Sequence, residues 1–460
     1  MELLHPCCAG LDVHKDNVVA CVRRHDERGR VSRNVRTFPT VTAGLMELLD
    51  WLKSEGVPIV AMESTGVYWK PVWNILEGQV EMMLVNAEQV KQVPGRKTDV
   101  RDCEWIAQLL QHGLLRASFV PPAPIRELRD LTRQRSQLTA EKASASNRIQ
   151  KVLEDANIKL GSVASDVLGV SGREILEDLI AGRTDPKDLA EHARGRLRLK
   201  RSQLRQALRG RVTEHHRFLL RLHLDHVKQL EELIRRLEVR IAELIEKDRP
   251  PDPPPSADPP SADPPSADPS ASNPPTRAGA SSATAANAGA APVAGPVPLW
   301  QAVLLLMTIP GISRRTAEVV LAEIGSDMSQ FASSGHLASW AGLCSGNDES
   351  AGKRRTGRTR GGSRWLKASL VQAAWAASRT KTYLGAQYRR LAKRRSKKKA
   401  LVAVAHTQLG IIYHVLRKRQ PYQELGADHF DRLGPERLTR QLTKRLESLG
   451  YKVTLEAKAA

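Results

Sequence analysis

Four acidic side chains in the first quarter of the chain have the type and spacing to hold a divalent metal. They are Asp12 in AGLDVHKDNVVACV, Glu63 in IVAMESTGVYW, and Asp99 and Asp102 in GRKTDVRDCEWIAQLL. Asp12 lies in a run of small and β-branched residues, 9–22, with the pattern of a buried strand, and Glu63 directly follows a second apolar run, 59–62. A carboxylate beside a buried sheet is costly unless it is paired or metal-bound. Asp99 and Asp102 are three apart at the head of an amphipathic helix, on one face, where like charges repel unless a cation sits between them. Hard oxygen donors suit Mg²⁺ or Mn²⁺, and two such ions stabilise the attacking and leaving oxygens of a phosphoryl transfer. Singly, each acid has a plainer reading as a turn residue, a helix-capping acid or a first-turn acid favoured by the helix dipole. The set is what points to metal.

A second constellation follows residue 336, in HLASWAGLCSGNDESAGKRRTGRTRGGSRWL. A serine hydroxyl there, Ser350 or Ser345, is of the type to attack a phosphodiester, with neighbouring cations stabilising the charge that develops. Lys353, Arg354, Arg355, Arg358, Arg360 and Arg364 can clamp several phosphates, which makes binding strongly salt-dependent. A serine in a glycine-rich loop is otherwise a turn or cap residue. Upstream, LLLMTIPGISRRTAEVVLAEIG has the form of a helix-hairpin-helix: Gly311 lets the turn approach a phosphate, and the free N–H groups from Ser313 onward bind it. The alternative is an ordinary helical hairpin. Downstream, YRRLAKRRSKKKALVAVAHTQLGIIYHVL suits phosphate contact or a solvated charged face. With aromatics at 4% of the chain, a base-stacking single-strand channel is not the leading idea.

The elements that must position these residues are α/β followed by α. Residues 1–122 give strands at 9–22, 31–38, 59–62 and 80–85 and helices at 42–54, 68–76 and 100–113. This is the order of a ribonuclease H-like domain, except that its third strand is not distinct and is read as merged with the second. Residues 123–248 carry long helix-period segments with interleaved Glu and Arg, expected as a coiled-coil region that either pairs as an antiparallel hairpin or forms a dimer interface. Residues 249–298, with the near-repeat PPSAD and then Ala, Gly, Ser and Thr, are expected to be a disordered linker whose flanking regions move independently. Residues 299–425 form a helical C-terminal domain holding the hairpin and the basic serine loop, and 426–460 a tail.

At 460 residues the chain has room for two or three domains, and its formal net charge of +21, concentrated after Ala351, is the footprint of a nucleic-acid partner. No apolar run approaches the roughly 20 residues of a membrane helix, and MELLHPCCAG lacks a signal-peptide pattern. A cytoplasmic protein with no membrane partner is expected. Five cysteines with no CxxC pair suggest neither zinc nor a disulfide framework.

Together these residues resemble the DEDD insertion-sequence transposases of the bridge-RNA-guided recombinase family. LDVHKD, MESTGVYW and KTDVRDCEWIAQLL match the RuvC-like domain, and IPGIS with WAGLCSGNDESAGKRRTGRTRGGSRWL matches the transposase domain. The resemblance implies Mg²⁺-dependent DNA cleavage and exchange, with Asp12, Glu63, Asp99 and Asp102 as the metal-binding tetrad. It further implies a serine that becomes covalently linked to DNA, Ser350 by motif position with Ser345 the alternative. Ala351, between Ser350 and Gly352, departs from the pattern. A structured non-coding RNA and a homodimer or tetramer with composite sites are the implied partners besides DNA. Two readings compete: a RuvC-like junction nuclease that uses the tetrad alone, and a non-catalytic basic nucleic-acid scaffold.

Overall fold

The computed structural model describes residues 3–455 apart from 27–28, 65, 88–89, 91–101, 248, 251–294, 345–347, 351–352, 357–358 and 360. At 348–350, 353–356 and 437–438 it describes the backbone. The described chain forms two compact units, residues 1–121 and 122–460.

In the first unit the elements run β1 (Cys7–Val13), β2 (Asn17–His25), β3 (Val31–Pro39), α1 (Thr42–Ser54), β4 (Ile59–Glu63), α2 (Trp69–Leu76), β5 (Glu81–Val85) and α3 (Asp102–Gln111). The sheet order is β3-β2-β1-β4-β5, with β2 antiparallel to its neighbours and β1, β4 and β5 parallel. The run 9–22, expected as one strand, is two. The polar stretch His14–Asp16 turns the chain, and the His14 N–H donates to the Asn17 carbonyl to close the reversal. Alternation then sorts the strands between two cores. Ala9, Leu11, Val13, Val60 and Met62 pack on α1 and α2 through Leu48, Leu52, Trp73 and Leu76. Cys8, Ile59, Ala61 and Val85 pack on α3 through Trp105, Ile106, Leu109 and Leu110. Each fully buried large apolar side chain contributes about 1.5–3 kcal/mol.

The second unit begins with α4 (Ala123–Asp155), continues through α5 (Val170–Ile180), α6 (Pro186–Glu191) and α7 (Arg201–Ala207), and returns along α8 (Glu214–Glu246). The two 33-residue helices α4 and α8 lie antiparallel. Asp155 meets His216 near one end and Lys142 meets Glu231 further along, over a core of Leu138, Ile149, Leu153, Leu220, Leu224 and Ile234. Of the two arrangements open to these segments, pairing within the chain is therefore present.

After the undescribed stretch come α9 (Leu299–Met307), α10 (Arg314–Ile324), α11 (Ser334–Trp340), the two-stranded β6 (Asp348–Ser350) and β7 (Lys353–Thr356), α12 (Arg364–Ser378), α13 (Tyr383–Ala392), α14 (Lys397–Lys418) and α15 (Pro435–Glu447). By length and composition α14 could cross a membrane. Its apolar residues Val404, Leu409, Ile412 and Tyr413 are instead buried inside the unit.

The regions before and after residues 249–298 do not stand apart. Arg129 of α4 donates to the last carbonyls of α10, Ala322 at 3.0 Å and Glu323 at 2.7 Å. Arg133 grips the Glu323 carboxylate with two bonds of 2.7 and 2.9 Å. Arg135 meets Glu318 at 2.6 Å with both side chains buried. Independent movement was expected from linker composition alone, but matched buried charges join the two flanks.

Candidate active site

Parallel pairing places two of the predicted acids side by side. Leu11 of β1 is in register with Met62 of β4, so the next residues, Asp12 and Glu63, stand at the same level on neighbouring strands. By strand alternation both belong to the face that carries α3, and Asp102 is the first residue of that helix. The close fit depends on Gly10. A Cβ there would lie 2.3 Å from the Cys103 carbonyl oxygen and 2.4 Å from the Ala107 nitrogen, so only glycine lets the start of α3 lie against β1.

Electrostatics report the same convergence. Burial pushes the Asp12 carboxyl above its ordinary value, and the nearby Asp102 and Glu63 push it further, while His14 opposes them. The His14 Nε2 stands 3.2 Å from Asp12 Oδ2. His14 is a site neighbour that the acid-by-acid sequence reading passed over, although it sits two residues after Asp12 inside LDVHKD. Cys103, beside Asp102, is fully buried, and burial holds its thiol at about 12, so it is a packing residue.

Asp99 lies outside the described residues. Among the described residues no group of three His, Cys, Asp or Glu side chains is close enough to hold a metal ion. The donor chemistry nevertheless fits a hard divalent cation: carboxylate oxygens on one face, with an Asp12 charge that burial disfavours.

In the second unit Ser350 ends β6, its backbone paired with that of Lys353, and Arg354 pairs with Glu349. Lys353, Arg354 and Arg355 thus belong to the strand beside the candidate nucleophile. Ser345, Arg358 and Arg360 lie outside the described residues. Arg364 opens α12, exposed, with its guanidinium carbon 4.6 Å from the centre of the Trp365 ring.

The base of this hairpin is tightly held. Gly362 crosses Ala341 where a Cβ would meet the Ala341 carbonyl carbon at 2.5 Å. The Lys367 ammonium donates to the Gly342 carbonyl at 3.3 Å and to the Thr359 hydroxyl at 2.6 Å, joining the two flanks of the hairpin. Ser363 caps α12 and donates its hydroxyl proton at 2.9 Å to Glu323, the carboxylate already gripped by Arg133 of α4. The sequence carries no local signal for this junction.

The helix-hairpin-helix turn has a different basis from the one expected. Gly311 has φ of +86°, and the space beside it, expected to receive a phosphate, is filled by α12: a Cβ would lie 2.3 Å from the Ala373 carbonyl oxygen. Glycine is needed here for close helix packing. Ser313 is the N-cap of α10, its hydroxyl accepting from the Thr316 N–H. Gln408 of α14 donates at 3.0 Å to the Pro310 carbonyl, covering the turn further.

Against known proteins, residues 9–158 match the DEDD transposases of IS110 type, and residues 303–389 match the transposase IS116/IS110/IS902 family. An insertion element IS110 uncharacterized 43.6 kDa protein of Streptomyces coelicolor is 31% identical over 122 residues, 26% of this chain and 30% of that protein. The pilin gene-inverting protein of Moraxella bovis is 33% identical over 124 residues, 26% of this chain and 38% of that one. The chain thus spans about a third of the length of these curated relatives. Among solved structures, Thermus thermophilus RuvC aligns over 24% of this chain and 99% of its own length, at 13% identity and a TM-score of 0.19.

Proposed function

We propose, from the premise that this chain belongs to the IS116/IS110/IS902 family of transposases, that it cuts and exchanges DNA strands through a serine-linked intermediate. The observation that carries the reading is the placement of Asp12, Glu63 and Asp102 on one face of the first unit's sheet, where burial disfavours the Asp12 charge and the other two acids add to it. Asp12, Glu63, Asp102 and Asp99 would hold Mg²⁺ or Mn²⁺. When bound, the metal would supply charge stabilisation at the scissile phosphate.

The chain's own residues have the following parts. Ser350 Oγ attacks the phosphorus, forming a P–O bond to the protein while the bond to the leaving strand breaks and that strand departs with a hydroxyl. A strand hydroxyl attacking the phosphoserine then reverses the sequence and releases the serine, conserving the phosphodiester. Lys353, Arg354, Arg355, Arg358, Arg360 and Arg364 hold backbone phosphates around the hydroxyl. The hydrogen bonds of Lys367 and Ser363 hold the base of the loop fixed on the helical body. The partners in this reading are the element's DNA ends and target, a structured bridge RNA, and further copies of the chain whose sites combine.

The test is to incubate the full chain with Mg²⁺ and DNA carrying an element end and to look for a covalent protein–DNA adduct. The adduct should vanish in Ser350→Ala and fall roughly 10³-fold in Asp12→Ala, about 4 kcal/mol of transition-state stabilisation. Loss in Ser345→Ala with survival in Ser350→Ala would move the nucleophile. Free cleaved ends without an adduct would mean a junction nuclease, and processing unchanged by Asp12→Ala would mean a scaffold.

A further inference from the structure

The corner between α13 and α14 carries eight cationic residues within Arg389–Lys399, all of them exposed. On the long helices, cations largely have acids beside them: Arg235 with Glu232, Arg240 with Glu243, Lys228 with Glu177. At the corner, among the described residues, no carboxylate pairs with any of the eight. Arg389 gives one N–H to the Thr380 carbonyl, and Arg390 lies over the Phe430 ring. The remaining six, Lys393, Arg394, Arg395, Lys397, Lys398 and Lys399, face solvent.

Three of these six stand where the protein alone disfavours them. Lys397, Lys398 and Lys399 open the 22-residue helix α14, whose first turn holds no acid. The positive end of a helix dipole is an unfavourable place for cations, by about 0.3–1 kcal/mol each, and adjacent like charges add repulsion. A merely solubilising surface would intersperse acids, as α8 does. A chain that breaks a local rule without compensation from its own residues points to an outside partner, here a dense polyanion.

We infer that the α13–α14 corner is a contact surface for the phosphate backbone of a nucleic-acid duplex, additional to the hairpin cations. A duplex is favoured over an unstacked single strand because exposed aromatic platforms are lacking here: Tyr388 is half-buried, and Phe430 is stacked on Tyr383. The inference does not rest on the serine chemistry, since backbone contact needs no cleavage.

The experiment measures binding of the full chain to a duplex DNA oligonucleotide of arbitrary sequence, without metal, across a salt series. Each phosphate contact contributes about −0.9 to the slope of log K against log salt. The variant Lys397→Gln/Lys398→Gln/Lys399→Gln should make the slope shallower by about 2–3 and weaken binding at least ~10-fold at low salt. Its thermal midpoint should hold or rise, which separates lost contact from lost folding. A control, Lys151→Gln/Lys187→Gln/Lys444→Gln, removes the same charge from exposed positions elsewhere and should change the slope by less than 1. An unchanged slope in the corner variant, or an equal change in the control, overturns the inference. A defect confined to single-stranded RNA, with duplex binding intact, overturns the duplex assignment.

Discussion

Acids stand against the core in both units, fully buried in the second and half-buried in the first, and they are treated in opposite ways. Glu318 and Glu323 in the second unit are almost wholly buried, and each is met by arginine: Arg135 and Arg314 at Glu318, Arg133 at Glu323. Asp12 in the first unit keeps more solvent; burial raises its carboxyl, Asp102 and Glu63 add to that, and His14 opposes them. A fold that wanted only a quiet carboxylate has shown, in α10, how to make one. The contrast marks the second unit's acids as a joint, whereas the first unit's acids crowd one another at the sheet.

That contrast can be broken at either end. The largest effect is expected in Glu318→Leu, which strands the buried Arg135 guanidinium and should cost about 3–5 kcal/mol in chemical denaturation of the full chain. Glu318→Leu/Arg135→Met should recover most of it; a single variant costing under ~1 kcal/mol would mean that the joint is not a desolvated pair.

Next comes Gly10→Ala, in which the new methyl meets the α3 backbone. It should cost about 1–3 kcal/mol and suppress strand processing more than the stability loss explains, because Asp102 moves with α3. Full processing in a folded Gly10→Ala protein would detach Asp102 from the site.

The smallest effect is a pH dependence. The folded Asp12 carboxyl binds its proton more tightly than the unfolded one, so its contribution to stability is complete below the unfolded value and is lost as pH rises through the folded value. Asp12→Asn lacks this loss. Relative to wild type it should gain stability as pH rises above the ordinary aspartate value of about 4, and Mg²⁺ should narrow the gap by stabilising wild type alone. Wild type gaining on the variant as pH rises would show that burial and the neighbouring acids do not disfavour the Asp12 charge.

What the sequence made legible followed local periodicity. Helix α1 was expected at 42–54 and lies there, because its apolar residues recur at helical spacing. The β1–β2 boundary was passed over because the polar stretch 14–17 is short and apolar, largely buried residues flank it on both sides. Gly10 carried a signal that could have been used, since glycine inside a strand often marks a close backbone approach. The arginine–glutamate joint carried none: Arg135 and Glu318 are 183 residues apart, and nothing in RELRDLTRQR distinguishes a docking face from a solvated one.

That joint continues beyond α4 and α10. The chain leaves α8 at Glu246, which binds Arg314 of α10 at 3.0 Å, and Arg249 lies 5.9 Å from the centre of the Trp300 ring in α9. The end of α8 and the starts of α9 and α10 are therefore fastened to each other at one spot by contacts of their own, and the seating of these helices does not depend on the length of sequence between them.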